Sequence, residues 1–176
     1  MKKTFIVAAT AFCALALAAQ TGSERPAISA MEKGLDSEFT HLWPDEPFLL
    51  LGATRGVYLD GYGAVFTTEL NLVTGPVLTP MNPVPTKEMI DRQRQRKLER
   101  LPRLRDAMRG VLVHTASSLD TLPKDQQVVL AVTLARYRWE DTNGMPSHII
   151  MQGRRGDLLE AKDPGALAQV IRTQEY

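Results

Sequence analysis

The chain has 176 residues, 44% of them hydrophobic and 23% charged, which is the balance of an ordinary globular protein with room for one sizeable core. Its formal net charge of +1 is too small for the whole-molecule field to point to a partner. The single cysteine, Cys13, lies in the apolar N-terminal run. A chain that loses this run has no thiol, which excludes disulfides, thiol catalysis and thiolate zinc sites.

Met1-Lys2-Lys3 supplies a positive start, Phe5 to Leu17 an apolar stretch, and Ala16-Leu17-Ala18 a small-residue cleavage pattern. These are the three parts of a secretory signal, in order, and they predict a cleavable segment over residues 1–19 with the cut after Ala18 or Ala19. The apolar run is short of the roughly 20 residues that a membrane span requires, which disfavours an uncleaved anchor. Bulky Phe12 stands just before Cys13, where a lipoprotein signal needs a small residue. Residues 20–176 are expected to form one α+β domain, exported to the periplasm or the medium. No later run is long and apolar enough for a second span.

Pro26 suits a first helical turn, and Ile28, Met31, Leu35, Phe39 and Leu42 follow at helical spacing. Trp43-Pro44-Asp45-Glu46-Pro47 ends this helix. From Phe48 to Val73 the residues are rich in branched and aromatic side chains, and Asp60-Gly61-Tyr62-Gly63 marks a hairpin turn. In its second strand Ala64, Phe66, Thr68, Leu70 and Leu72 share one face. A Pro-rich crossing over residues 74–86 leads to Thr86, a suitable N-cap.

A long Arg-rich helix is predicted over about 87–119, kinked or split at Pro102. Asp91 to Lys97 contains no apolar residue, so this first section is expected to project into solvent. Gln126 to Glu140 and Ser147 to Arg155 read as a second hairpin closed by Asn143-Gly144. That two-residue turn would place Trp139 opposite His148 and Tyr137 opposite Ile150. Val128, Leu130, Val132, Leu134, Ile149 and Met151 would then form the core face. Asp163 and Pro164 open a last helix running toward Tyr176. The order α-ββ-α-ββ-α predicts a two-layer α+β fold: two β-hairpins in a mostly antiparallel four-stranded sheet, with helices packed on one face.

Motifs for chemistry are weak. Gly61-Tyr62-Gly63 lacks the third glycine and following helix of a phosphate loop, and Asp141-Thr142-Asn143-Gly144 lacks the later ligands of a calcium loop. His41, His114 and His148 stand singly, with no metal-ligand spacing, so no metal or cofactor is implied. Ser117, Ser118 and Ser147 lie in no activating motif.

Two surfaces stand out. Arg92, Arg96, Arg100 and Arg103 recur at steps of four, four and three, within a segment from Lys87 to Arg109 that holds nine basic and four acidic residues. They form a candidate anion-binding stripe, with Glu88–Arg92 and Glu99–Arg103 spaced for pairing. Tyr137, Trp139, Asp141 and His148 form a candidate partner-binding patch on the outer face of the second hairpin. The reading that follows is an exported, noncatalytic binding or interaction domain. Its partner is expected to be a protein, an acidic polymer or an anionic lipid headgroup, with nucleic acid disfavoured for an exported chain. The alternative is a small secreted or periplasmic hydrolase assembled around His148 and Asp141 with a distant serine. Export predicts a mature species that lacks the first 18 or 19 residues. Intact mass of the envelope and medium fractions checks this, and a chain retaining Met1 to Ala19 would be an anchored protein instead.

Overall fold

The computed structural model describes residues 25–44, 48–76 and 84–176, so the expected signal segment lies outside the described residues. Helix α1 covers residues 25–40. It is followed by β1 (Leu49–Leu50), β2 (Arg55–Leu59), β3 (Gly63–Asn71), α2 (Lys87–Ser118), β4 (Gln127–Leu134), β5 (His148–Arg154), α3 (Arg155–Glu160), α4 (Pro164–Val170) and β6 (Arg172–Glu175).

The fold is α+β, but the sheet has six strands and is mixed. Its order is β1-β3-β4-β5-β6, with β2 also paired to β3 beyond β1. β3 and β4 run parallel, from Gly63 opposite Gln127 to Leu70 opposite Leu134, while the other pairs are antiparallel. The long α2 segment supplies the crossover that a parallel pair requires. A four-stranded antiparallel sheet made of two hairpins is therefore corrected in strand number, direction and order.

The faces are as the alternation predicts. Ala64, Phe66 and Leu70 of β3, Val128, Leu130 and Val132 of β4, and Ile149 and Met151 of β5 are all buried. Leu35 and Phe39 of α1 and Leu104, Met108 and Leu112 of α2 complete this core, each buried side chain contributing about 1.5–3 kcal/mol of transfer free energy. Gly56 lies on the same side. A Cβ there would stand 2.6 Å from Ile28 Cγ2 and 2.7 Å from the Phe66 ring, so only glycine lets α1 approach β2 this closely.

Three further expectations are corrected. The Asn143-Gly144 turn does not close a two-residue hairpin, because β4 ends at Leu134 and β5 begins at His148, leaving a 13-residue loop. Gly144 has φ +75° and Asn143 does not enter the left-handed region, so the turn lacks the two positive-φ positions of a type I′ hairpin turn. The last helix stops at Val170, and residues 172–175 instead extend the sheet as β6. A bidentate Arg105–Glu175 pair at 2.6 and 2.8 Å ties β6 to α2, and Arg105 holds the Glu175 carboxyl below the usual range. Finally, α2 is one helix through exposed Pro102, so it is not split there, and its first section is not solvated on all sides: Gln93 and Lys97 are buried.

The C-terminal end of α2 has no basic residue in its last turn. Arg155, from the start of α3, fills that role. Its Nε donates to Ala116 O at 2.9 Å and its Nη1 to Leu122 O at 3.0 Å, from a site only 9% exposed. Carbonyls and dipole at a helix C-terminus favour a cation there. Arg155→Ala strands both carbonyls away from water and is expected to cost about 2–5 kcal/mol in urea unfolding. Arg155→Lys, which keeps the charge but not the fork, should recover only part of this.

Candidate binding site

The N-terminal half of α2 carries its buried stripe in polar form. Gln93, Lys97 and Arg100 continue the line of Leu104, Met108 and Val111 along the helix, so they turn toward the sheet. Long polar side chains buried in this way must find acceptors, and they find them at the end of β3 and in the β4–β5 loop. Lys97 Nζ donates to Glu140 Oε2 at 2.6 Å and to Ala135 O at 3.2 Å. Gln93 Nε2 donates to Glu140 Oε1 at 3.2 Å and to Val73 O at 3.3 Å. Arg100 donates to Leu72 O and lies 5.2 Å from the centre of the Trp43 ring, in cation–π range.

The Lys97 and Glu140 side chains are 2% and 3% exposed. Burial pushes the Lys97 ammonium below its ordinary 10.5, and the bond to Glu140 offsets this only in part. The pair is therefore a poor source of net stability and a strong source of position. One turn away, Arg94 Nε donates to Asn143 O at 2.9 Å and lies 3.5 Å from Asp141 Oδ2. Asp141 Oδ1 also accepts from the Asn143 amide at 3.0 Å. The loop is thus fastened at residues 135, 140, 141 and 143.

Between these fixed points the loop presents Arg136-Tyr137-Arg138-Trp139. The Tyr137 and Trp139 rings stack with centroids 5.3 Å apart and planes 5° from parallel. Tyr137 remains 37% exposed and rests against Gly75, where a Cβ would lie 2.9 Å from its ring. Arg136 and Arg138 are exposed, and neither makes a hydrogen bond or ion pair among the described residues.

The predicted patch is thereby divided. Tyr137 and Trp139 come together, but in the loop and not on the sheet face. Asp141 is committed to Arg94 and Asn143. His148 opens β5 opposite Thr133, with its Nδ1 3.2 Å from Thr133 Oγ1. The predicted arginine stripe is also divided. Arg100 is buried, while Arg92, Arg96 and Arg103 are exposed, and the Glu88–Arg92 and Glu99–Arg103 pairs do not form: Glu99 accepts from Gln95 at 3.0 Å. Sequence reasoning missed Gln93, Lys97, Arg136, Arg138 and Glu140. The available signal was spacing, because 93, 97 and 100 continue the apolar stripe at helical intervals.

For hydrolysis the geometry gives little. Ser117 Oγ donates to His114 O and Ser147 Oγ to Tyr176 O, and no serine hydroxyl among the described residues bonds to His148. A groove of about 400 Å³ between α1 and α2 is lined by Phe39, Leu42, Ala107 and Val111, with Glu38 and His41 at its rim and no nucleophile.

Lys97→Met leaves the Glu140 carboxylate buried and unpaired, so it is expected to lose about 3–5 kcal/mol in denaturant unfolding. The double variant Lys97→Met/Glu140→Leu should regain most of that stability while loosening the loop, seen as faster amide exchange at residues 136–143.

No family profile, curated protein or solved structure matches this chain.

Proposed function

We propose that the chain is an exported, noncatalytic binding domain that meets its partner through the β4–β5 loop. The observation that supports this reading is the stacked Tyr137–Trp139 pair, held out on a loop whose backbone is fastened by a buried ion pair. A 13-residue connection would ordinarily be mobile. Here α2 commits three polar side chains, Gln93, Arg94 and Lys97, to holding it. Such ordering before contact removes part of the entropic cost of association. Aromatic pairs flanked by arginines supply the residue types that dominate binding energy at interfaces.

The hydrolase alternative requires Asp141 to orient His148, whereas Asp141 is engaged by Arg94 and the Asn143 amide. A partner of this loop is expected to offer a flat or apolar group to the rings and an acceptor to Arg136 or Arg138.

A photo-crosslinker placed at Arg138 in cells is expected to give a discrete adduct that disappears with Trp139→Ala. The same substitution should cost less than about 1.5 kcal/mol, because the ring stacks on Tyr137 at the surface and not within the core. A loss of about 3–5 kcal/mol would mark Trp139 as a packing residue. An esterase, phosphatase or glycosidase activity abolished by His148→Ala would replace this reading with the hydrolase.

A further inference from the structure

The face of the sheet away from the helices is exposed toward its β1–β2 and β5–β6 margins, with Val129 and Asn71 buried between them, and its exposed side chains are sorted by chemistry. Leu50 pairs with core-facing Leu70, so Leu49 and Leu51 point the other way; Val57 and Leu59 join them, because Gly56 and Tyr58 face the core. These four are 39%, 42%, 49% and 46% exposed. Among the described residues they are four of the six exposed large aliphatic ones, Val84 and Leu159 being the others, so this is a column and not a scatter. On the far side of the same face, Arg154 pairs opposite Gln127 and Arg172 opposite Gln152. Arg55 stands in the aliphatic column itself. The three arginines are exposed and make no ion pair among the described residues. Glu69 is the one acidic residue on this face among the described strands, which leaves it at +2.

Strand addition at this edge is blocked. The Gly56 amide donates to Glu32 Oε1 at 2.7 Å and the Thr54 amide to Asp36 Oδ1 at 2.8 Å, so α1 occupies donors that an incoming strand would need. A second copy of the chain is a poor fit. For stacking over the whole face, a two-fold axis across the strands lays arginine over arginine as well as column over column, and one along the middle of the face lays the aliphatic column over the arginines.

We propose that this face rests on an anionic lipid bilayer, with Leu49, Leu51, Val57 and Leu59 entering the headgroup–acyl boundary while Arg55, Arg154 and Arg172 take lipid phosphates. Arg154 and Arg172 lie about 14 and 19 Å from the aliphatic column, three and four strand spacings away, while Arg55 lies within it, and a bilayer surface offers apolar and phosphate groups to both. This surface is separate from the Tyr137–Trp139 loop and does not depend on its role.

The test uses the protein as isolated from expressing cells, its N-terminus defined by intact mass, in co-sedimentation with phosphatidylglycerol–phosphatidylcholine and pure phosphatidylcholine vesicles. Binding is expected on the anionic vesicles only, falling as salt rises. Arg154→Gln/Arg172→Gln should weaken it about 25-fold, at about fivefold per arginine, and Leu51→Ser/Leu59→Ser at least about tenfold. All four positions are exposed, and the Arg154 side chain makes no cap bond to α3, so the variants should unfold at the wild-type midpoint. Trp139→Ala should bind vesicles like the wild type. Equal binding to both vesicle types, or variants that bind like the wild type, would overturn the proposal. A dimer dissolved by Leu51→Ser/Leu59→Ser without vesicle binding would overturn it in favour of a second copy.

Discussion

Lys97 brings a charge into the interior, and much of the molecule is arranged to receive it. An ammonium with 2% of its side chain exposed needs acceptors on the spot, and the fold provides the Glu140 carboxylate and the Ala135 carbonyl. Both belong to the connection between β4 and β5, so burying Lys97 dictates where that connection must run. Gln93 then bridges the same carboxylate to Val73 just past the end of β3, and Arg100 donates to the Leu72 carbonyl beside Trp43. The ends of β3 and β4, which leave the sheet side by side because the two strands are parallel, are gathered onto one helix face. Tyr137 is exposed and Trp139 half-buried at the surface, next to Glu140, which is drawn inward.

The α2 helix is anchored differently at its two ends. At the N-terminus Thr86 Oγ1 accepts from the Met89 amide at 3.4 Å, a local cap legible from the sequence. At the C-terminus the cap is a distant arginine, Arg155, whose guanidinium meets carbonyls on either side of the helix end. A buried cation without a carboxylate partner among the described residues is tolerable only because the helix end is itself partly negative. Arg155 follows directly on β5, and its amide donates to Gln126 O at 2.8 Å, so one residue joins the central strands to the crossover helix.

What was legible follows from what each signal measures. Period-two alternation reports which face a side chain takes, and every residue assigned to the core face of β3, β4 and β5 is buried or at least packed there. The pairing was wrong: Trp139 was expected opposite His148, where Thr133 stands. These differ by six positions, an even number, so the slip changed every partner and no face. Asn-Gly specifies a tight hairpin only when both residues adopt positive φ, and the clamp on residues 135–143 fixes a different path first. The stretch from Asp91 to Lys97 reads as solvated because it lacks apolar residues; a buried lysine is visible only once its acceptor, 43 residues later, is known. The parallel β3–β4 pair was hidden for the same reason, since alternation says nothing about which strand lies beside which. β6 is short, Arg172–Glu175, and owes its place to the Arg105–Glu175 bridge and to β5, neither of which its own four residues announce.

The helix side of the sheet and the opposite side are coupled through the edge that α1 guards. Glu32 and Asp36 lie one turn apart on α1, and the amides they accept belong to residues two apart on the chain, so a helical and an extended period coincide over this short stretch. The contact satisfies amides that would otherwise invite another strand, and it depends on Gly56, because any side chain there would lift α1 away. With the edge closed and the core face filled, the remaining apolar area of β1 and β2 can meet a partner only by lying flat against it. Leu49 and Leu51 leave the sheet at the same end as the β4–β5 loop, since Leu49 pairs with Asn71 and β3 ends alongside β4. The clamped loop therefore leaves the sheet at the end where the aliphatic column begins, while its fastenings to α2 keep it on the helix side.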